Sequence, residues 1–285
     1  MRRVYRTITP YTGYWRPGED YLYQIIEAIR GKVEDYDTVA VSEKAVSTAL
    51  GNIVDESVIE PSLTARLLAR YWMRYAWGYI FGPLCRLRTT TIQHLRDYPL
   101  EEGSAHKQVA LEQAGFLQAL LFGSEGGIDG SNLPYSYVSL PLVNASQTAQ
   151  QIRRRIESTL GKDVAVIMVD TDSTYSIGSF HFTPRPNPIK GIHSTGGFLA
   201  YLAGRLLHTK RRATPVAHVG SRMNTEDALE LAKIANKARG FGAGKTVWDM
   251  AEAFRVPITD VTWEMLTTNA HRPIVIVKTS YNRKR

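Results

Sequence analysis

Two aspartates and a threonine, Asp170, Thr171 and Asp172, form the most chemically suggestive cluster in the sequence. Asp170 closes the apolar run 163–170, which is typical of a strand covered on both faces. The carboxyl edge of such strands is where α/β proteins assemble ligand sites. Two carboxylates and a hydroxyl suit Mg²⁺ or Mn²⁺, which take oxygen ligands and share them with substrate phosphates. The cluster therefore predicts a metal-supported phosphate site.

A second candidate loop, GSEGGIDGSNLP, spans residues 123–134. Its glycines allow close backbone approach around Asp129, and Asn132 adds an amide that could bind a ligand. Asp129 could thus meet the first cluster from another loop. The alternative is that an aspartate in a glycine-rich turn only accepts hydrogen bonds from backbone amides.

The segment GFGAGKT, residues 240–246, resembles a phosphate-binding loop. The glycine that the full motif requires would fall on Arg239, the spacing from Gly240 is one residue short, and a helical pattern precedes it. We therefore predict a glycine-rich helix end followed by Thr246 as the N-cap of the next helix.

The elements that must position these residues alternate between helix and strand, which predicts a mixed α/β fold. Residues 108–122 fit either helix or strand, and 208–212 is predicted to be a basic connection. The predicted helices are 20–30, 61–80, 145–160, 196–207, 226–238 and 246–254, and the predicted strands are 36–41, 135–142, 163–170, 175–182 and 273–278.

The formal charge of +8 favours an anionic partner. A nucleic-acid-binding alternative rests on the aromatic and arginine-rich helix 61–80 and on a helix pair within 246–266. The aromatic spacing favours a core or dimer face instead. The second segment of the pair presents Asp260 and Glu264 and lacks side chains that read base edges.

The single cysteine, Cys85, cannot close an intrachain disulfide and lies among apolar neighbours, as a buried thiol does. No segment approaches the roughly 20 apolar residues of a membrane helix. The sequence therefore predicts a cytoplasmic protein without a membrane partner.

Four motifs together resemble the coenzyme F420-0:L-glutamate ligase family. They are RPGED at 16–20, VAVSEKAVSTALGNIVD at 39–55, GGIDGSN at 126–132, and AQQIRRRIESTLGKDVAVIMVDTDS at 149–173. The resemblance covers about the first two thirds of the chain and fades after Ile189. It implies a ligase-like region at 1–189 and a divergent, mainly helical region with a closing strand at 190–285, in the same domain or a small second lobe.

The resemblance implies mixed and antiparallel sheets with flanking helices, in a homodimer. It also implies an amide ligase that uses GTP or ATP with Mg²⁺ or Mn²⁺. A carboxylate of an F420-0-like acceptor would form an acyl phosphate, and the amino group of L-glutamate would displace the phosphate. Such chemistry needs carboxylates and cations rather than a protein nucleophile.

Carried over by motif, Asp129 and Asp170 are the implied catalytic residues and, with Thr171, the implied metal ligands. The implied nucleotide-binding residues are Thr12, Gly13, Tyr14, Trp15, Glu43, Lys44, Thr48 and Asn132.

The departures from the family pattern concern charged side chains. Thr48, Leu50 and Asn52 replace a lysine, a glutamate and an arginine, and DTDSTYSIG at 170–178 lacks two family arginines. Loss of these cations predicts a different anionic acceptor. A paralogous ligase with another acceptor is therefore an open alternative.

Overall fold

The computed structural model describes residues 2–194, 196–220 and 223–282. The strands of this part are β1 Arg2–Ile8, β2 Thr38–Ser42, β3 Ile53–Asp55, β4 Tyr137–Ser139, β5 Ala165–Ile177, β6 Phe180–Thr183, β7 His193–Ser194, β8 Lys210–Val219 and β9 Ile274–Asn282. Seven of them form one mixed sheet in the order β1-β9-β2-β5-β6-β7, with β8 also paired to β5, while β3 and β4 form a separate ribbon.

The helices surround this sheet. They are α1 Tyr21–Ile29, α2 Glu43–Ala49, α3 Leu63–Leu67, α4 Gly82–Leu84, α5 Thr89–Arg96, α6 Glu101–Gln113, α7 Phe116–Ala119, α8 Ala145–Leu160, α9 Phe198–Leu206, α10 Thr225–Arg239, α11 Val247–Phe254 and α12 Trp263–Thr267. A 3₁₀ turn covers Glu56–Val58, and a π-helical segment, Leu68–Phe81, joins α3 to α4.

The central strands are buried on both faces because their side chains alternate between two cores. On β5, Val166 and Met168 pack with α1 and α8, whereas Ile167 and Val169 pack with α10. This explains the nearly unbroken apolar run in the sequence. The mixed α/β fold class is confirmed.

The pairing of β2 with β5 positions the site. The two strands are parallel, with Ser42 opposite Val169. The residues that follow Ser42 and those that follow Val169 therefore emerge at the same edge of the sheet. Glu43 and Lys44 follow Ser42, and Asp170, Thr171 and Asp172 follow Val169. Both groups of candidate residues therefore lie at this edge.

Most predicted elements are confirmed, and helix 145–160 has the predicted bounds. Two predictions are wrong. The basic connection 208–212 belongs largely to β8, and the single strand predicted over 175–182 is a hairpin that turns between β5 and β6. Strand β1 was not predicted, and 108–122 is helical in α6 and α7.

Strands from both sides of residue 189 share the large sheet, because β8 pairs with β5 and β9 pairs with β1 and β2. The division at that residue stays a prediction. Cys85 is buried, as predicted. Among the residues described, no helix combines the length and apolar character needed to cross a membrane.

Candidate functional site

A cleft of about 1530 Å³ opens where β2 ends, beside residues 171–173 in the middle of β5. Its walls include Lys44 from α2, Thr171 and Asp172 from β5, and the loop 128–133. The cleft volume exceeds the range of about 300–1,000 Å³ that is usual for one small ligand. The space is therefore large enough for two substrates.

Lys44 connects this edge to the glycine-rich loop. Its Nζ lies 2.8 Å from Asp129 Oδ2 and also donates to the carbonyl and hydroxyl oxygens of Ser131. Burial by itself raises the pKa of Asp129, but the Lys44 charge and the hydrogen bonds from Ser131 lower it below its usual value. Asp129 is therefore held as a carboxylate beside a cation.

Beneath the cleft, Arg185 joins Glu43 to Asp170. Arg185 Nη2 donates to both carboxylate oxygens of Glu43 at 2.6 Å, and Arg185 Nε lies 3.2 Å from Asp170 Oδ2. The latter contact is an ion pair without hydrogen-bond geometry. Burial, aided by Asp170, raises the pKa of Glu43 even though Arg185 opposes the shift. The buried charges thus link α2 to β5.

Asp172 and Arg239 lie near these charges. We call Asp129, Asp170 and Asp172 the acidic centre. Asp172 is 5% exposed, and burial together with the charge of Asp170 raises its pKa well above the usual value. Burial lowers the pKa of Arg239, while Asp170 and Asp129 act in the opposite direction. Both predicted catalytic carboxylates therefore act electrostatically on the same guanidinium group.

The oxygen donors at this edge fit a hard cation. Asp170 Oδ2 and Asp172 Oδ2 are buried without hydrogen-bond partners, and the Thr171 hydroxyl group lies on the strand between them. Within 2–194, 196–220 and 223–282, no three His, Cys, Asp or Glu side chains form a metal-binding group. A Mg²⁺ ion bound through one or two carboxylates, with phosphates and water as further ligands, needs no such group.

The side chain of Asn132 is hydrogen-bonded to the glycine-rich segment 240–246. Its Nδ2 donates to the carbonyls of Phe241 and Gly244, and its Oδ1 accepts from the amide of Ala243 at 2.7 Å. The conformation of the following residues confirms the predicted helix cap, because Thr246 forms a capping box with Asp249 at the start of α11.

The segment 12–15 lies against the other end of the chain. Thr12 forms a β-bridge with His271, and the Tyr14 ring stacks on the His271 ring with 4.4 Å between centroids. Burial lowers the pKa of His271 to about 4 and raises that of Tyr14 to about 12. Both groups are therefore neutral near pH 7. The Trp15 ring meets the His271 ring edge-on, at 84°, and all three rings line the cleft.

A buried ionic cluster supports the loop that carries Asp129. His106 lies between Glu56, at 2.7 Å, and Glu125, at 3.1 Å, and Lys107 also binds Glu125. Burial opposes both shifts, but the opposite charges raise the pKa of His106 to about 10 and lower that of Glu125 to about 2. Glu125 is thereby fixed four residues before Asp129.

The sequence candidates, all of which lie in described residues, divide into two groups. The cleft wall contains Tyr14, Trp15, Lys44, Thr48, Asp129, Asn132 and Thr171, whereas it does not include Thr12, Gly13, Glu43 or Asp170. Glu43 and Asp170 lie behind the wall and are held by Arg185. The roles assigned to all these residues stay predictions.

A sequence model of the family described as F420-0:gamma-glutamyl ligase matches residues 11–235. The chain belongs to the F420-0:gamma-glutamyl ligase family. The match continues beyond Ile189, where the motif resemblance fades, and thus includes β8 and most of α10. The resemblance derived from the four motifs is confirmed.

Individual relatives of this family member differ in how much of the chain they cover. An uncharacterised protein of Methanocaldococcus jannaschii is 36% identical over 277 residues, which is 94% of each chain. A coenzyme F420:L-glutamate ligase of Methanopyrus kandleri is 28% identical over 160 residues, 55% of each chain. One of Methanosarcina acetivorans is 26% identical over 235 residues, covering 80% of this chain and 78% of the relative.

Three residues of the site were not predicted from the sequence: Arg185, Arg239 and His271. Each is an isolated residue in a loop or at a helix end, so no local spacing marks it. Arg185 follows β6, and only the pairing of β6 with β5 brings it to Asp170. Only contacts between distant segments of the chain identify these residues as part of the site.

Proposed function

We propose that this protein is a nucleotide- and metal-dependent glutamate ligase that forms an amide between L-glutamate and coenzyme F420-0 or a related carboxylate acceptor. Membership of a ligase family and the buried acidic centre beside Lys44 support this proposal. The observation that carries it is the pairing of Lys44 with Asp129 at the edge where Thr171 and Asp172 line the same cleft.

The reaction would occur in two steps. An oxygen of the acceptor carboxylate attacks the γ-phosphorus of GTP or ATP, and the bond to the nucleoside diphosphate breaks. The glutamate nitrogen then attacks the acyl carbon, the C–O bond to phosphate breaks, and the amine loses a proton to solvent. Positioning and neutralisation of phosphate charge account for most catalysis in phosphoryl transfer.

The residues of this chain would divide the work. The Lys44 ammonium group would neutralise phosphate charge from the cleft wall, and Arg239 would add a second cation next to the acidic centre. Asp129, Asp170 and Thr171 would hold Mg²⁺ or Mn²⁺, which neutralises phosphate charge when bound. Tyr14 and Trp15, which line the cleft, would contact the nucleotide, as the family resemblance implies.

The protein would act as a homodimer, as the family resemblance implies, and in the cytoplasm, as its single cysteine predicts. Nucleic acid and membranes are not partners in this proposal. A paralogous ligase with a different acceptor is the second candidate, and the replacement of family cations by Thr48 and Asn52 favours it.

The test is incubation of the purified protein with L-glutamate, F420-0, GTP or ATP, and Mg²⁺ or Mn²⁺. The proposal predicts one phosphate released per glutamyl group added, measured by phosphate assay and by mass spectrometry of the acceptor. Phosphate release with other acceptors but not with F420-0 would support the paralogous ligase. No release with either nucleotide across a panel of carboxylate acceptors would refute both.

Asp129→Asn and Asp170→Asn test the assigned site separately from the activity. We expect each variant to weaken Mg²⁺-dependent nucleotide binding at least about tenfold, because each loses a charged oxygen donor. Asp163→Asn, an exposed aspartate on the opposite end of β5, is the matched control. Unchanged metal and nucleotide binding in both site variants would show that the site is elsewhere.

A further inference from the structure

The residues that line the cleft carry a large net positive charge. Thirteen Lys and Arg side chains line it, against six Asp and Glu side chains. The resulting excess is close to the formal charge of +8 for the whole chain. The acidic centre cannot account for it, because that centre contributes carboxylates. Another part of the cleft must therefore be strongly basic.

Four of these cations come together from separate elements. Arg88 precedes α5, Arg205 lies near the end of α9, Arg211 lies at the start of β8, and Lys245 precedes α11. We call them the cation quartet. In the described ranges, none of the four is within ion-pair distance of a carboxylate. The fold thus places these four cations around the same cleft.

The positions of two members are fixed by contacts. Arg205 Nε donates to the carbonyl oxygen of Cys85 at 2.9 Å, and its Nη2 donates to that of Arg86 at 3.1 Å. Lys245 Nζ lies 5.4 Å from the centre of the Phe241 ring. These contacts orient the cations without neutralising them.

The cations also repel one another. Burial lowers the pKa of Lys245, and the charges of Arg88, Arg211 and Arg205 lower it further, opposed by Asp249. Repulsion of this kind destabilises the free protein and is relieved when an anion binds. The cation quartet is therefore suited to a ligand with several negative charges.

We propose that the cation quartet is a binding site for a ligand that carries at least two phosphate or carboxylate charges. This rests on the proposed function, in which two substrates have that chemistry: the acceptor and the nucleoside triphosphate. Each guanidinium group can donate two parallel hydrogen bonds to an oxyanion, and Lys245 supplies a further point charge.

The register of the sheet relates the position of Arg211 in the quartet to that of Asp170 in the acidic centre. Thr214 of β8 is opposite Asp170, and Arg211 is opposite Tyr175. Three residues along β8 separate Thr214 from Arg211, which corresponds to about 10 Å. The backbone beside Asp170 and the backbone at Arg211 are therefore about 10 Å apart.

The test compares Arg88→Gln/Lys245→Gln with wild type by isothermal titration calorimetry at low and moderate salt. The probes are F420-0, GTP with Mg²⁺, and inorganic pyrophosphate. Arg154→Gln/Arg155→Gln, which removes two exposed charges from α8, is the matched control. Thermal unfolding of each variant checks that it is folded.

The proposal predicts that the quartet variant binds pyrophosphate at least about tenfold more weakly than wild type, with a smaller salt dependence. An equal loss for F420-0 with GTP unchanged would identify the acceptor as the ligand. Loss for GTP alone would identify the triphosphate. Unchanged affinity for all three probes in a folded variant would overturn the proposal, as would wild type that binds none of them.

The pyrophosphate result separates this inference from the proposed function. If wild type binds neither F420-0 nor a nucleotide, the proposed function fails. A loss of pyrophosphate binding confined to the quartet variant would still establish the anion site. If glutamylation proceeds and the quartet variant matches wild type with every probe, the function stands and the inference is wrong.

Discussion

Lys44 Nζ lies 2.8 Å from Asp129 Oδ2 although 85 residues separate the two along the chain. The contact joins α2, which follows β2, to the glycine-rich loop that forms one wall of the cleft. It places a positive charge beside a negative charge in the wall of the cleft.

Replacing Lys44 by Met should lower ligase activity by about 100-fold, because it removes a preorganised cation from the reacting phosphate. The measurement is steady-state release of phosphate with L-glutamate and F420-0. Lys162→Met, at a half-exposed lysine beyond α8, serves as the control and should retain activity. Full activity of the Lys44 variant would contradict the role assigned to this residue.

Arg185→Met should lower the free energy of unfolding by about 3–5 kcal/mol, because it leaves Glu43 and Asp170 buried without their cation. The side chains of Arg185 and Glu43 are each no more than 3% exposed. Urea unfolding followed by tryptophan fluorescence measures the change. The control is Arg30→Met at an exposed pair with Glu27, where a loss of about 0–1 kcal/mol is expected. Similar small losses in both variants would refute the argument.

The stability supplied by His106 should decrease at alkaline pH. Its pKa is raised from 6.5 to about 10 on folding, so the stabilisation is complete below pH 6.5 and is lost as the pH rises to about 10. In that window the native state holds one more proton than the unfolded state, and stability falls by up to about 1.4 kcal/mol per pH unit.

The measurement for this prediction is urea unfolding of wild type and His106→Gln at pH 6 and pH 9.5. The advantage of wild type should shrink at the higher pH. Glu125 has the opposite sign, since its pKa is lowered to about 2, and its contribution is lost only below about pH 4.5. A difference between the two proteins that is constant with pH would contradict the ionic cluster.

The π-helical segment Leu68–Phe81 should respond unequally to loss of its aromatic rings. Trp77 is fully buried and donates from Nε1 to the carbonyl of Leu120, so Trp77→Ala should destabilise by about 3–5 kcal/mol. Tyr75 is 59% exposed and stacks on Tyr71 and Tyr79, so Tyr75→Ala should cost less than about 1 kcal/mol. Thermal unfolding distinguishes these values, and equal losses would contradict the assigned packing.

The sequence pattern was sufficient to predict the elements that are amphipathic or are ended by a local signal. Helix α8 has apolar residues on one face and ends at Gly161 in the left-handed region, with φ +65°, and its bounds were predicted. The mixed core was also predictable, because the apolar run 163–170 has a length typical of a strand. The aromatic helix was predicted to form a core or dimer face. Trp72 and Trp77 pack in the interior, whereas Tyr71, Tyr75 and Tyr79 are more than half exposed.

The missed features depend on contacts between distant segments. Strand β8 begins with Lys210, Arg211 and Arg212, which resemble a solvated loop, yet their backbone pairs with residues 174–176 of β5. Arg185 meets Glu43 across 142 residues. Such partners are selected by sheet pairing, so no window of neighbouring residues contains the signal.

Asn132 illustrates a partly predictable role. Its position in the loop after Asp129 indicated a functional amide, but its donors and acceptor bind the segment 240–246. The structure therefore shows a positioning contact, and direct nucleotide contact stays a prediction. Asn132→Asp would replace two donors by acceptors and should loosen this segment, with faster hydrogen exchange at Ala243 as the readout.

Transfer of oxygen from the acceptor to phosphate tests the central claim most directly. The acceptor F420-0 is labelled with ¹⁸O in its reactive carboxylate and incubated with L-glutamate, GTP or ATP and Mg²⁺. The proposed acyl phosphate predicts one ¹⁸O atom in each inorganic phosphate released, alongside a glutamylated product, as measured by mass spectrometry. Glutamylated product accompanied by unlabelled phosphate would contradict carboxylate activation by phosphoryl transfer in this cleft.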